Sequence, residues 1–188
     1  MKRYFSLLVV LILCAPLLLA ATRQQERERL DKIEQSLKAD VRNLTCLNEN
    51  FAAAGQPSEE AFGKIAENGY RSILSLRTAS EGIDLARERE FVEKAGMRFI
   101  SIPVSPNDLK PSLADEFLAA VKDKANQPMM IHCGSANRVG AFWMIYRVVE
   151  EGWSEEKALE EATKVGLRSP VMQKFAQDYI ASRKKESK

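Results

Sequence analysis

Four short apolar runs, Leu44 to Ala53, Ile73-Leu74-Ser75-Leu76, Phe99-Ile100-Ser101-Ile102 and Met129-Met130-Ile131, are each followed by a stretch with helical spacing. Helices are expected from Ser58 to Asn68-Gly69, from Ser80 to Gly96, from Ser112 to about Ala125 and from Val139 to Val149. Two more, capped by Ser154 and Ser169, close the chain. Strands this short and this apolar, joined by helix-length crossovers, are buried on both faces. The pattern therefore predicts an α/β fold: a central, mainly parallel sheet of about four to five strands with helices on both sides. Ligands of such sheets bind beyond the C-terminal ends of the strands. Arg77, the Ser105–Asp108 loop and the loop that starts at Cys133 all fall at that edge.

The last of these loops carries the most chemistry. In His132-Cys133-Gly134-Ser135-Ala136-Asn137-Arg138-Val139-Gly140 a thiol ends a strand and an arginine opens a helix, with small or polar residues between them. Backbone N–H groups of Ser135, Ala136 and Asn137 can turn inward there. The helix N-terminus adds partial positive charge, and the guanidinium adds a planar fork. Together they form an anion cradle, and the same field stabilises a thiolate. Gly134 and Gly140 would permit close approach and packing. A cysteine in an apolar stretch is often mere packing, but Gly-Ser-Ala-Asn is poor core material, which favours a nucleophile acting on an anionic group. Arg77 is read either as a second anion contact or as the partner of Glu81. Phe142 to Tyr146 are core, because a helix apolar on most sides is buried.

His132 is the only histidine. A histidine-built metal site and Cys–His base catalysis have almost nothing to draw on, so no metal or cofactor is expected. Neighbouring strand residues face opposite ways, so His132 should support the loop, through backbone or a nearby carboxylate, rather than deprotonate Cys133. Asp108, in Ser105-Pro106-Asn107-Asp108, is either a general acid on a separate loop or an ordinary turn aspartate.

Of the 188 residues, 45% are hydrophobic and 29% charged, which suits one domain with a substantial core. The first 22 stand apart. Lys2 and Arg3 precede 19 uncharged residues, Tyr4 to Thr22, the layout of a secretory signal or an uncleaved membrane anchor. Export to a periplasmic or other extracytoplasmic space is expected, with membrane attachment through residues 4–22 as the variant. The whole chain has 28 basic and 26 acidic residues; without Lys2 and Arg3 the two balance. No basic stripe points to nucleic acid. Residues 23–42 are expected as a helical spacer and 183–188 as a basic tail. Cys46 is read as a packed or free thiol, or as a resolving partner of Cys133.

His132-Cys133-x4-Arg138-x-Gly140 at a strand–helix junction resembles the cysteine-dependent protein phosphatase superfamily, in particular its dual-specificity branch. Gly55-Gln56-Pro57-Ser58, the run Gly69 to Arg77, and Ile102-Pro103-Val104 leading to Asp108 extend the resemblance over roughly residues 43–180, within a phosphatase-like domain expected at 43–182. Together they look closest to the bacterial phosphatase-like domain associated with β-lactamase-like hydrolases. The resemblance implies a phosphocysteine intermediate, with Cys133 as nucleophile, Arg138 as phosphate clamp and Asp108 as acid. Gly134 to Asn137, Val139 and Gly140 would then belong to the substrate loop, and the substrate would be a phosphorylated protein or a small phosphoester. The superfamily's usual loop has five residues between Cys and Arg and a Ser or Thr after the Arg, where this chain has four and Val139. The shorter spacing also resembles the rhodanese loop, which carries a persulfide, so sulfur transfer is the alternative activity. A binding module without turnover is the third reading.

Overall fold

The computed structural model describes the backbone of residues 3–186 and the side chains of 20–185. Most of the expected export segment therefore lies outside the described side chains. Among the described residues, no helix is long and apolar enough to cross a membrane. Helix α1 (Arg3–Leu37) leads into a hairpin, β1 (Thr45–Asn48) and β2 (Phe51–Ala54). Then come α2 (Ala61–Glu67), β3 (Ser72–Ser75), a one-turn 3-10 helix (Ala79–Glu81), α3 (Leu85–Lys94), β4 (Arg98–Ser101) and α4 (Pro111–Lys122). Strand β5 (Met129–His132), α5 (Asn137–Val149), α6 (Glu155–Val165) and α7 (Pro170–Glu186) complete the chain.

The five strands form one sheet in the order β1-β2-β5-β3-β4, with only β1 antiparallel to its neighbour. This is the expected α/β architecture. The single β-like stretch read at Leu44–Ala53 is instead a hairpin. Asn48 Oδ1 accepts from the N–H groups of Asn50 and Phe51 at 2.9 and 3.0 Å, closing a turn that periodicity alone does not reveal. Several caps also differ from expectation. Asp84, not Ser80, caps α3, accepting from Ala86 and Arg87. Pro111 opens α4, and the Ser58 hydroxyl is buried without a partner. Ser154 and Ser169 do accept from Lys157 and Met172 as expected.

Side-chain alternation splits the core in two. Odd residues of β5 (Met129, Ile131) and Cys133 face α4–α7, while Met130 faces α1–α3. Ile33, Leu37 and Val41 are buried in that second cluster, so the segment expected as a helical spacer also packs against the sheet. Nor do residues 183–186 form a tail: α7 runs to Glu186, and Lys184 pairs with Glu155 at 2.6 Å. Helix α5 is buried along nearly its whole length, as its apolar sequence requires. Gly140 lets it approach α6, since a Cβ there would stand 2.7 Å from the Ala162 carbonyl.

Cys46 and Cys133 are both free thiols. Cys46 pairs with Ala52 of β2, which pairs in turn with Met130 of β5. Two strand spacings, about 9.6 Å, therefore part the two cysteines laterally, beyond disulfide reach. Burial pushes the Cys46 thiol up to about 11, against the Tyr70 hydroxyl 3.7 Å away, so it is a packed thiol and not a resolving partner.

Candidate active site

Three loops meet at the C-terminal ends of β3, β4 and β5. Thr78, Ser80 and Glu81 follow β3, Ser105 to Asn107 follow β4, and Cys133, Gly134, Ser135, Asn137 and Arg138 follow β5; together they line a cavity of about 420 Å³. The loop after β5 becomes a cradle because its carbonyls are held outward. Leu76 N–H donates to His132 O at 2.9 Å, Gln56 N–H to Gly134 O at 3.3 Å and Asn43 Nδ2 to Ser135 O at 3.2 Å. Ala136, at φ 66, takes the left-handed turn that starts α5, one residue pair earlier than the Val139 start expected from sequence. A non-glycine residue there costs about 1 kcal/mol or more. The turn leaves the N–H groups of Gly134, Asn137 and Arg138 without a backbone or side-chain acceptor among the described residues, while an antiparallel bridge between Gly55 and Ser135 ties its middle to the end of β2.

Arg138 closes the ring. Its Nη1 donates to the carbonyls of Leu76 and Val104 at 2.9 and 2.8 Å and to Glu81 Oε1 at 2.6 Å, and Nη2 donates to Glu81 Oε2 at 2.7 Å. The end of the fork is thereby pinned, while Nε and the second Nη2 proton form the uncommitted edge. Burial opposes the Arg138 charge, yet the Glu81 bonds and the nearby Cys133 sulfur outweigh it and raise its pKa.

Glu81 is a site residue that the sequence marks only as a partner of Arg77. It sits between two guanidinium groups, 2.8 Å from Arg77 Nε as well as on Arg138. Burial works to raise its pKa, but the Arg138 bonds, the Thr78 N–H and the two positive charges bring it down to about 2. A depressed carboxyl stabilises the fold fully above its ordinary value of 4.5 and loses that contribution as pH falls towards about 2. In denaturant titrations from pH 6 to 2.5, the wild type should lose on the order of 1 kcal/mol from this group, because its exposure to solvent screens the two ion pairs, and Glu81→Gln none of it. Parallel pH profiles would contradict this account of Glu81.

Arg77 takes the Glu81 pairing of its two expected readings and does not line the cavity. Its Nη1 donates to Gln56 Oε1 at 2.7 Å, and its guanidinium lies 3.9 Å from where a Gly134 Cβ would stand. Gln56 Nε2 donates to Glu88 Oε1 at 2.8 Å. His132, fully buried on the sheet face opposite Cys133, lies 3.1 Å from the same oxygen but without hydrogen-bond alignment, so neither ring nitrogen has a bonded partner. Burial works to raise the Glu88 pKa, but His132, Gln56 and Arg77 together lower it. Val139 is fully buried in the core and, like Gly140, does not line the cavity. Asp108 is exposed and paired with Lys110 at 2.9 Å; the three residues before it line the cavity, and it does not.

The family model for a DSP-PTPase phosphatase fused to NAD+ kinase matches residues 27–181. The β-lactamase hydrolase-like protein of Xylella fastidiosa is 28% identical over 109 residues, covering 55% of this chain and 25% of that protein. The dual specificity protein phosphatase TpbA of Pseudomonas aeruginosa is 26% identical over 95 residues, covering 50% of this chain and 44% of that one. The chain thus spans less than half the length of these relatives. Among solved structures, a DUF442 protein from Shewanella putrefaciens CN-32 superposes with a TM-score of 0.68 at 22% identity, covering 80% of this chain and 98% of that one. TpbA itself superposes at 0.60 with 20% identity, covering 77% and 90%, and has also been solved in complex with pTyr. With the match extending over most of its length, the chain belongs to the DSP-PTPase family of phosphatase domains typified by those fused to NAD+ kinase.

Proposed function

We propose that the domain hydrolyses phosphate monoesters through a phosphocysteine. The observation that carries this reading is that Cys133 lines one cavity with the turn from Gly134 to Arg138, whose guanidinium Glu81 pins. The Cys133 thiolate attacks phosphorus and the P–O ester bond breaks. Arg138 Nε and Nη2 hold two non-bridging oxygens, where negative charge is stabilised as the transition state forms. Water then cleaves the P–S bond, releasing inorganic phosphate and the thiolate. The pTyr complex of TpbA supports an aryl phosphate as first substrate to test.

The leaving oxygen needs a proton. Glu81, the carboxyl in the cavity, is held ionised down to about pH 2 and is unfit to donate one. We assign the role to Asp108, whose loop already lines the cavity through Ser105, Pro106 and Asn107, and which must turn from Lys110 to act. Asp108→Asn should then slow alkyl phosphate hydrolysis about 100-fold or more and good aryl leaving groups far less. Equal losses on both would remove Asp108 from the mechanism.

Val139 supplies no hydroxyl to help discharge the intermediate. Hydrolysis of the P–S bond is therefore the slower step, and a burst of aryl alcohol should precede steady turnover. Acid quenching during the burst, followed by mass spectrometry, should find phosphorus on Cys133. Sulfur on Cys133 after thiosulfate, with cyanide-dependent release and no phosphoryl adduct, would replace this reading with sulfur transfer. Export directed by residues 1–22 belongs to the same proposal and is checked by cell fractionation.

A further inference from the structure

A second cavity, of about 460 Å³, opens against the outer wall of the cradle. It shares Ser135 and Asn137 with the first and is otherwise lined by Asn43, Leu44 and Thr45 at the start of β1 and by Lys164 to Gly166 and Arg168 at the α6–α7 turn. Its size lies in the range of small-molecule sites. Two cations and no acid line it, whereas the first cavity balances Arg138 against Glu81.

The wall bearing these cations is built into the cradle rather than laid beside it. Asn137 Oδ1 accepts from the backbone N–H groups of Arg168 and Ser169 at 2.7 and 3.0 Å. Gly166 presses on the loop so closely that a Cβ there would stand 3.1 Å from the Ala136 methyl. The Arg168 guanidinium is oriented by its Nη1, which donates to the Thr163 and Leu167 carbonyls; Nε and Nη2 carry no bond among the described residues. Among the described residues Lys164 pairs with Glu160 alone, an exposed pair at 2.7 Å, and such pairs are weak enough to exchange for a ligand's charge.

We infer that this second cavity is an anion subsite, and that the substrate is a small phosphomonoester with a second anionic group on its leaving-group side. The inference rests on the cradle reading above: with the scissile phosphate over Cys133, Ser135 and Asn137 form the wall between the two cavities, and the second group reaches past it to meet Arg168 and Lys164.

The test is calorimetric binding to the full-length Cys133→Ser protein, which cannot turn substrate over. Butyl phosphate is compared with butane-1,4-diol bisphosphate and its longer homologues. At least one bisphosphate should bind about tenfold more tightly than butyl phosphate, with the gain shrinking as salt rises. Adding Lys164→Met and Arg168→Met should bring the ratio of affinities close to one. Because Arg168 also caps α6, Lys164→Met alone, at a solvent-exposed position, serves as the second variant and should lower the ratio about threefold. A ratio near one in the parent protein, or a gain that survives both substitutions, overturns the subsite while leaving the cradle intact. Binding of neither phosphate defeats the cradle and the subsite together.

Discussion

Replacing Cys133 by serine should lower aryl phosphate hydrolysis by roughly 10⁴-fold or more while leaving inorganic phosphate able to bind. A hydroxyl is a weak nucleophile unless a base takes its proton, and the site offers none. His132 lies on the other face of the sheet, beside Glu88, and the Glu81 carboxylate is spent on two guanidinium groups. Binding should persist because the N–H groups and Arg138 are independent of the sulfur. Steady-state rates set beside calorimetric titration with phosphate give both quantities. Residual activity within tenfold of wild type would mean that the cysteine is not the nucleophile. Full loss of chemistry with retained binding also rules out a module that only holds its ligand.

Arg138→Lys should reduce kcat/KM by about 10²- to 10³-fold. An ammonium keeps the charge but not the fork. It cannot reach the Leu76 and Val104 carbonyls and both Glu81 oxygens while offering two parallel donors to a phosphate. The buried acceptors left behind add a cost in stability on the order of 1–3 kcal/mol. Kinetics and thermal melts on the same preparation separate the two effects. Near-normal kcat/KM in a folded variant would show that charge alone suffices at the cradle and that the pinned geometry is incidental.

Much of this site is legible along the chain because it is local. Cys133, Gly134 to Asn137 and Arg138 occupy one strand-to-helix turn, and small residues between a thiol and an arginine have few other uses. The alternation of β5 alone places His132 away from Cys133. What hid was the long-range half. Glu81 reaches Arg138 across 57 residues, and Asn43 reaches the Ser135 carbonyl across 92. Along the chain Glu81 is marked only as a partner of Arg77 and Asn43 not at all as part of the site, because a carboxylate or an amide in a turn has ordinary local explanations.

Periodicity and spacing were enough to determine an α/β sheet, the edge that carries the site, and a cysteine–arginine loop, since apolar alternation and turn chemistry act within a few residues. Tertiary packing decided the rest: the hairpin at the sheet's rim, the isolation of Cys46 behind β2, the pinning of Arg138 and the cationic wall beside the cradle. Each of these depends on which loops the sheet order β1-β2-β5-β3-β4 brings side by side. That adjacency is the physical reason: hydrogen bonds and charges act over a few ångströms of space, and the distance between two residues along a chain does not specify it.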